Sequence, residues 1–234
     1  MFGCLNPEID YPMIARGVDF VKDKTAYFNG KGCRLEIPIE HRYWEYGSGV
    51  ELAWLHRIKN PIKERTKVLN VGSGWDALSP SLAFENVYDI TDCEPDTICR
   101  NDRKKVNEVL ISIGRNPILI LPNGLDELPQ QDYDIVYCIS VLEHVDNEMD
   151  QWKHLADRVD EGGTLFITCD CIPDPNRAYA FDFMRKTNYT TSILKERVDM
   201  IQEMGFNVIG DVDYGYHGDH THGYSFFRCG FDKV

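Results

Sequence analysis

Between Lys67 and Thr168, short apolar runs alternate with longer stretches of helical character. The runs predict strands at 67–71, 86–90, 117–121, 134–139 and 163–168, with helices around 78–84, 95–113 and 147–159. Runs so rich in Val, Ile and Leu suit strands buried on both faces. Their alternation with helices builds a parallel sheet covered on each side. The alternation stops after a helix at 192–206. Two strand-like runs, "NVIGDVDYGY" and "YSFFRCGFDK", then follow with only "HGDHTHG" between them. A gap that short permits a hairpin and excludes a helical crossover, so the last strand runs against the rest. The expected fold class is α/β, a doubly wound, mostly parallel sheet ending in a C-terminal antiparallel strand pair.

Residues 1–66 precede this pattern and read as a mixed segment. "CRLEIPI" predicts a short strand. "GSGVELAWLHRIKN" predicts a helix, with Val50, Ala53, Trp54 and Ile58 near helical spacing. The expected division of the 234 residues is an N-terminal cap or lid at 1–66 and a main domain at 67–234. Tyr43, Trp44 and Tyr46 cluster beside Glu45. Such a cluster covers a bound molecule or attracts a cation through its ring faces, or it anchors a helix to the core.

Charge and composition narrow the partners. The chain holds 25 basic and 38 acidic residues, a net charge of −13, which repels a phosphate backbone; nucleic acid is not an expected partner. No run of 18 apolar residues occurs, so no membrane span is expected. "MFGCLNPEIDYPM" lacks the basic start and apolar core of a secretory signal. The eight cysteines are spread over the chain, several inside strand-like runs, and no CxxC pair is present. Reduced thiols filling a core, a cytoplasmic location and no metal are the expectation.

The first strand of the alternation enters "KVLNVGSGWDALSPSLAF", a turn with two close glycines. A triphosphate loop requires Lys before a Ser/Thr after its glycines, and no Lys stands there. Gly72, Gly74 and Ala77 satisfy the dinucleotide pattern, and Asp92 follows at the distance of a ribose-binding acid. Other features point elsewhere. The turn lies behind a long preamble, the fourth strand leads into "CISVLEHV", the fifth is approached through "DEGGTLFIT", and a hairpin follows.

In this order and spacing, "VLNVGSG", "VLEHV" and "EGG" resemble the class I S-adenosylmethionine-dependent methyltransferases, in particular their small-molecule branch. The likeness spans roughly residues 66–170, and the closing strand pair extends it to the C-terminus. The resemblance implies a Rossmann-like methyltransferase fold and S-adenosyl-L-methionine as cofactor. It implies that Gly72, Ser73 and Gly74 approach the cofactor's amino-acid and ribose parts. Asp92, with Cys93 beside it, would accept the ribose hydroxyls, Asp89 and Glu94 being the alternatives. Asn123, Gly124 and Leu125 would edge the adenine, Ser140 would bind the cofactor, and Glu143 would face its methionine end or the substrate. The chain departs from the family pattern at Asn70, where an acid is commoner, at Asp76, where a third glycine is usual, and at Gly124, where an acid is frequent.

Methyl transfer from a sulfonium is an in-line displacement that depends on holding nucleophile and methyl group in register. An oxygen nucleophile gains from losing its proton. His144, just past the fourth strand, is the candidate base, or else it packs the following helix. Ubiquinone-type O-methyltransferases pair such a Glu-His with an earlier acid. Ser140 stands at that position here, so no metal requirement is expected. His217, His220 and His222 in the "HGDHTHG" segment line the substrate mouth together with Trp44 and Tyr46, or form a solvated loop. "[ND]PPY", which amino-methyltransferases of bases and glutamines carry, is absent. The expected acceptor is therefore a small hydroxylated metabolite or sugar methylated on oxygen. An NAD-dependent oxidoreductase and a non-catalytic S-adenosylmethionine-binding protein are the alternatives.

Overall fold

The structure, a computed structural model, describes residues 7–36, 40–122, 124, 127–172, 186–210, 212 and 225–234. In chain order the elements are α1 (Pro7–Gly30), α2 (Glu40–Lys59), β1 (Thr66–Val71), α3 (Leu78–Glu85), β2 (Tyr88–Cys93), α4 (Thr97–Ser112), β3 (Leu119–Leu121), β4 (Tyr133–Ile139), α5 (Glu148–Ala156), β5 (Val159–Ile172), β6 (Tyr189–Thr190), α6 (Thr191–Glu203), β7 (Phe206–Val208) and β8 (Ser225–Lys233). They form one sheet in the order β3-β2-β1-β4-β5-β8-β7, with β6 paired to β5. All neighbours are parallel except β8, which runs antiparallel to both β5 and β7. The doubly wound sheet with its reversed final strand is the expected architecture.

Strand order reverses at β1, which leads to β2 and β3 on one side and pairs with β4 on the other. In such sheets a crevice opens outside the carboxyl ends of the strands at the reversal point. Val71, the last residue of β1, is in register with Cys93 of β2 and Cys138 of β4, so the three strands end together at that crevice.

The sheet separates two apolar layers. Trp152, Leu155, Leu194 and Ile201 from α5 and α6 cover one face with Tyr133, Leu165 and Phe227. Val50, Leu52, Leu78, Leu82, Val106 and Leu110 from α2, α3 and α4 cover the other with Tyr137 and Phe166. Each such side chain contributes about 1.5–3 kcal/mol by leaving water.

The N-terminal segment departs most from the sequence reading. Cys33–Glu36 form no strand; the Asn29 side chain brackets Leu35, and the Glu36 amide donates to the Trp75 carbonyl at 2.8 Å. Upstream, α1 is a long helix whose buried positions Ile14, Val18, Val21, Thr25 and Phe28 recur at three- and four-residue intervals. It crosses α2 backbone to backbone: a Cβ on Gly17 would lie 2.2 Å from the Gly47 carbonyl oxygen. In turn, α2 runs along β5 in the opposite direction. Glu45 meets Thr168 and His56 meets Thr164, while the Tyr137 hydroxyl donates to the Gly49 carbonyl at 2.7 Å.

Smaller differences follow from local geometry. The second strand begins at Tyr88, not at residue 86, because Asn86 adopts a left-handed conformation (φ 61) and closes α3. No helix among the described residues is long and apolar enough to cross a membrane. Cys33, Cys93, Cys99, Cys138, Cys169, Cys171 and Cys229 are buried free thiols.

Candidate active site

The glycine turn is held from behind by a polar network. The Asn70 amide donates to Asp76 Oδ2 at 2.7 Å and to Ser79 Oγ at 2.9 Å, and Asp76 Oδ1 accepts the Leu78 and Ser79 amides that open α3. Arg103 of α4 reaches into the same place. Its guanidinium donates to the Asp76 carbonyl at 3.1 Å and pairs with Asp92 at 2.8 Å. Asp76 thus works as a helix-opening carboxylate, which explains an acid where the resemblance leads one to expect glycine.

Gly72 turns the chain at φ 68 with no space for a side chain, since a Cβ would lie 2.5 Å from Val141 Cγ2. That contact brings the end of β1 against the segment following β4. The Gly72 amide donates to the Cys93 carbonyl at 2.8 Å, and the Gly74 amide donates to Glu94 Oε2 at 2.5 Å.

Beside the turn lies a cavity of about 400 Å³, within the usual range for small-molecule and cofactor sites. Gly72, Pro95, Gly124, Val141, His144, Gln151 and Lys186 are among the residues that line it. His144 sits on the single 3₁₀ turn Leu142–His144, half-buried, its amide donating to the Val141 carbonyl at 2.9 Å. Lys186 is carried there by main-chain bonds of Lys186 and Thr187 to the Glu143 carbonyl, and it ion-pairs with Asp146.

Gly72, Gly124 and His144 are therefore brought together, while other expected residues are not. Asp92 is fully buried: Ser79 Oγ donates to its Oδ1 at 2.5 Å and Arg103 takes its other oxygen. Burial pushes its carboxyl up to about 6, with Arg103 pulling the other way and Asp76 adding to the rise. A carboxylate enclosed in that way is a support of the turn, and the acid at the turn's amide is Glu94. Cys93 is buried, its thiol pushed up to about 12 by burial, and it meets the turn through its carbonyl.

Glu143 points into the protein, where its Oε1 accepts the Asp170 amide at 3.0 Å, because β5 presents that amide directly beneath the 3₁₀ turn. Ser140 holds φ 52, and its hydroxyl donates to Glu45 Oε1 at 3.2 Å. Tyr46 is buried in the apolar layer under α2, its hydroxyl donating to Glu36 at 3.4 Å, so it anchors the helix and does not face the cavity. Trp44 lies on α2, but its side chain is outside the description, as are Asn123, Leu125, His217, His220 and His222. The residues that sequence reasoning passed over are Arg103, Glu45 and Lys186. Nothing in their local sequence marks them, since each acts through an element distant in the chain.

No family model matches the chain. A tRNA U34 carboxymethyltransferase of Shewanella frigidimarina is 32% identical over 115 residues, covering 47% of this chain and 34% of that protein. The protein of the same name from Shewanella sediminis is 28% identical over 109 residues, covering 46% and 32%. The match thus spans about a third of the length of these curated relatives. Among solved structures, the [4+2]-cyclase SpnF superposes with a TM-score of 0.61 at 13% identity, covering 93% of this chain and 94% of that one. Magnesium protoporphyrin IX methyltransferase (ChlM) of Synechocystis PCC 6803 with bound SAM gives 0.57 at 16% identity, covering 94% and 97%. TehB of Haemophilus influenzae gives 0.54 at 17%, covering 77% and 62%. The resemblance read from the motifs holds at the level of the fold, which is that of S-adenosylmethionine-dependent methyltransferases.

Proposed function

We propose that this chain is an S-adenosylmethionine-dependent methyltransferase acting on a small hydroxylated molecule. The observation that carries the reading is the cavity at the strand-order reversal, lined by Gly72 of the glycine turn and by His144. The residues present fit the cofactor. Gly72 admits no side chain, and around Gly74 the space a Cβ would occupy is open. Gly72, Ser73 and Gly74 would line its amino-acid and ribose parts, Glu94 would take the ribose hydroxyls, and Gly124 with Pro95 would edge its base. Bound there, the cofactor supplies an electrophilic methyl group.

The chain's own contribution is positioning and proton removal. Pro95, Val141 and Val145 make part of the lining apolar, which keeps water from competing for the methyl group. His144, in the lining of the cavity, takes the proton of the acceptor hydroxyl at its imidazole nitrogen. We read residues 1–66 as a cap, with α2 laid over one face of the sheet and its first turn toward the carboxyl ends of β4 and β5. The buried free thiols suit a reducing compartment, and on that ground we place the protein in the cytoplasm.

A second reading takes a nucleic-acid acceptor, favoured by the tRNA-modifying name of the two curated relatives. The net charge of −13 favours the small acceptor. Isothermal titration with S-adenosylhomocysteine and with NAD tests the cofactor: micromolar binding of the first and none of the second is expected, and the reverse overturns the reading. Turnover on a panel of hydroxylated metabolites and on bulk tRNA then decides the acceptor. Methyl transfer to tRNA alone would establish the second reading, and cofactor binding without turnover on either would point to a binding protein.

A further inference from the structure

The buried carboxylate of Glu45 belongs to no element of the cofactor turn, yet it stands where β4 ends, beside Thr168 of β5. Its Oε1 accepts from Ser140 Oγ at 3.2 Å and from Thr168 Oγ1 at 2.5 Å, so one oxygen ties α2 to the exit of β4 and to β5. Ser140 is the residue at which the chain leaves β4. It holds φ 52, in the left-handed region that costs an L side chain free energy, and its amide donates to the Thr168 carbonyl at 3.0 Å. The next residue is Val141, whose methyl group fills the place of a side chain on Gly72, and three further on is His144. The conformation of Ser140 therefore sets how the His144 turn stands against the glycine turn.

We propose that Glu45 is a positioning residue that acts through Ser140. Its carboxylate holds Ser140 in the left-handed conformation, and that conformation keeps Val141 against Gly72 and His144 in the cavity lining. Strained backbone persists where its surroundings over-determine it, and here the surroundings are one carboxylate and one carbonyl. The arrangement makes α2 part of the cavity's construction without placing any of its described side chains in the lining. The consequence for cofactor affinity rests on the methyltransferase reading; the consequence for His144 does not.

The test uses the full chain with Glu45→Ala alone and combined with Ser140→Gly, since glycine adopts positive φ without the strain that Glu45 offsets. Two signals are read: the His144 ring correlation in ¹H–¹³C spectra, identified with His144→Gln, and S-adenosylhomocysteine affinity by titration. Glu45→Ala should move the ring signal and weaken affinity about tenfold, and Ser140→Gly in that background should return both toward wild type. A residue that merely stabilised α2 would not be rescued by glycine at 140. An unmoved ring signal in Glu45→Ala, or no recovery in the double variant, overturns the proposal. Should Glu45→Ala fail to fold by circular dichroism, Glu45→Gln serves instead, with the same rescue required. Failure of the wild type to bind S-adenosylhomocysteine would defeat the methyltransferase reading, and the ring signal would still decide the role of Glu45.

Discussion

The guanidinium of Arg103 and the carboxylate of Asp92 lie 2.8 Å apart with side-chain exposures of 3% and 0%, directly behind the glycine turn. Asp76 shares the same guanidinium at 3.4 Å, so two buried carboxylates depend on one cation. Removing one partner of a buried pair leaves an uncompensated charge, and Arg103→Met should cost about 3–5 kcal/mol. The loss should also depend on pH. Asp92 has a carboxyl raised to about 6, above its unfolded value, so the fold favours its neutral form. Its contribution is greatest at low pH and is lost as pH rises through about 6. Urea melts at pH 5 and pH 8 should therefore show the larger loss at pH 8; an equal loss would mean that neither carboxylate takes a proton when the cation is gone.

The two acids at the end of β2 should separate by assay. Glu94→Gln should weaken S-adenosylhomocysteine binding by about 1.5–3 kcal/mol, the range for charge-assisted hydrogen bonds. Asp92→Asn should act on unfolding instead. Titration of both variants beside thermal melts decides it, and an affinity loss confined to Asp92→Asn would return the ribose role to that residue.

Gly72→Ala combines a φ of 68 with a Cβ 2.5 Å from Val141 Cγ2. Overpacking of this kind costs about 1–3 kcal/mol, and the cofactor turn should be displaced with it. Adding Val141→Ala should recover the steric part in thermal melts and leave the backbone part. Full recovery would show that the positive φ is not required.

His144→Ala should slow turnover about 10²–10⁴-fold once an acceptor is known, with cofactor binding nearly retained. Unchanged turnover would make His144 a packing residue.

His56 provides a second pH signal, far from the cavity. Burial lowers its pKa below the ordinary 6.5, outweighing the opposite pull of Asp134. The folded protein therefore resists protonation that the unfolded chain accepts at 6.5. Stability should fall as pH drops through 6.5, and ring titration by NMR should place His56 below that value. A midpoint at or above 6.5 would mean the imidazole is solvated.

The sequence by itself determined what is local. Apolar Val/Ile/Leu runs alternating with helices, two glycines after a strand and a gap too short for a crossover were enough for the sheet, its reversed last strand and the glycine turn, because each depends on neighbouring residues. The helix at 7–30 was not read from the sequence, where Pro12 and Gly17 interrupt the spacing of Ile14, Val18, Val21 and Phe28. Only the tertiary structure decided the roles of the charged side chains. Asp92 and Glu94 are two residues apart in one acidic stretch, and nothing near them in sequence says which one a distant guanidinium will claim. Arg103 does so because α4 packs its buried side against α3 and the sheet. Tyr46 and Glu143 turned inward for the same reason: the faces that α2 and β5 cover are chosen by packing between segments far apart in the chain. A buried charge then takes whichever partner that packing supplies.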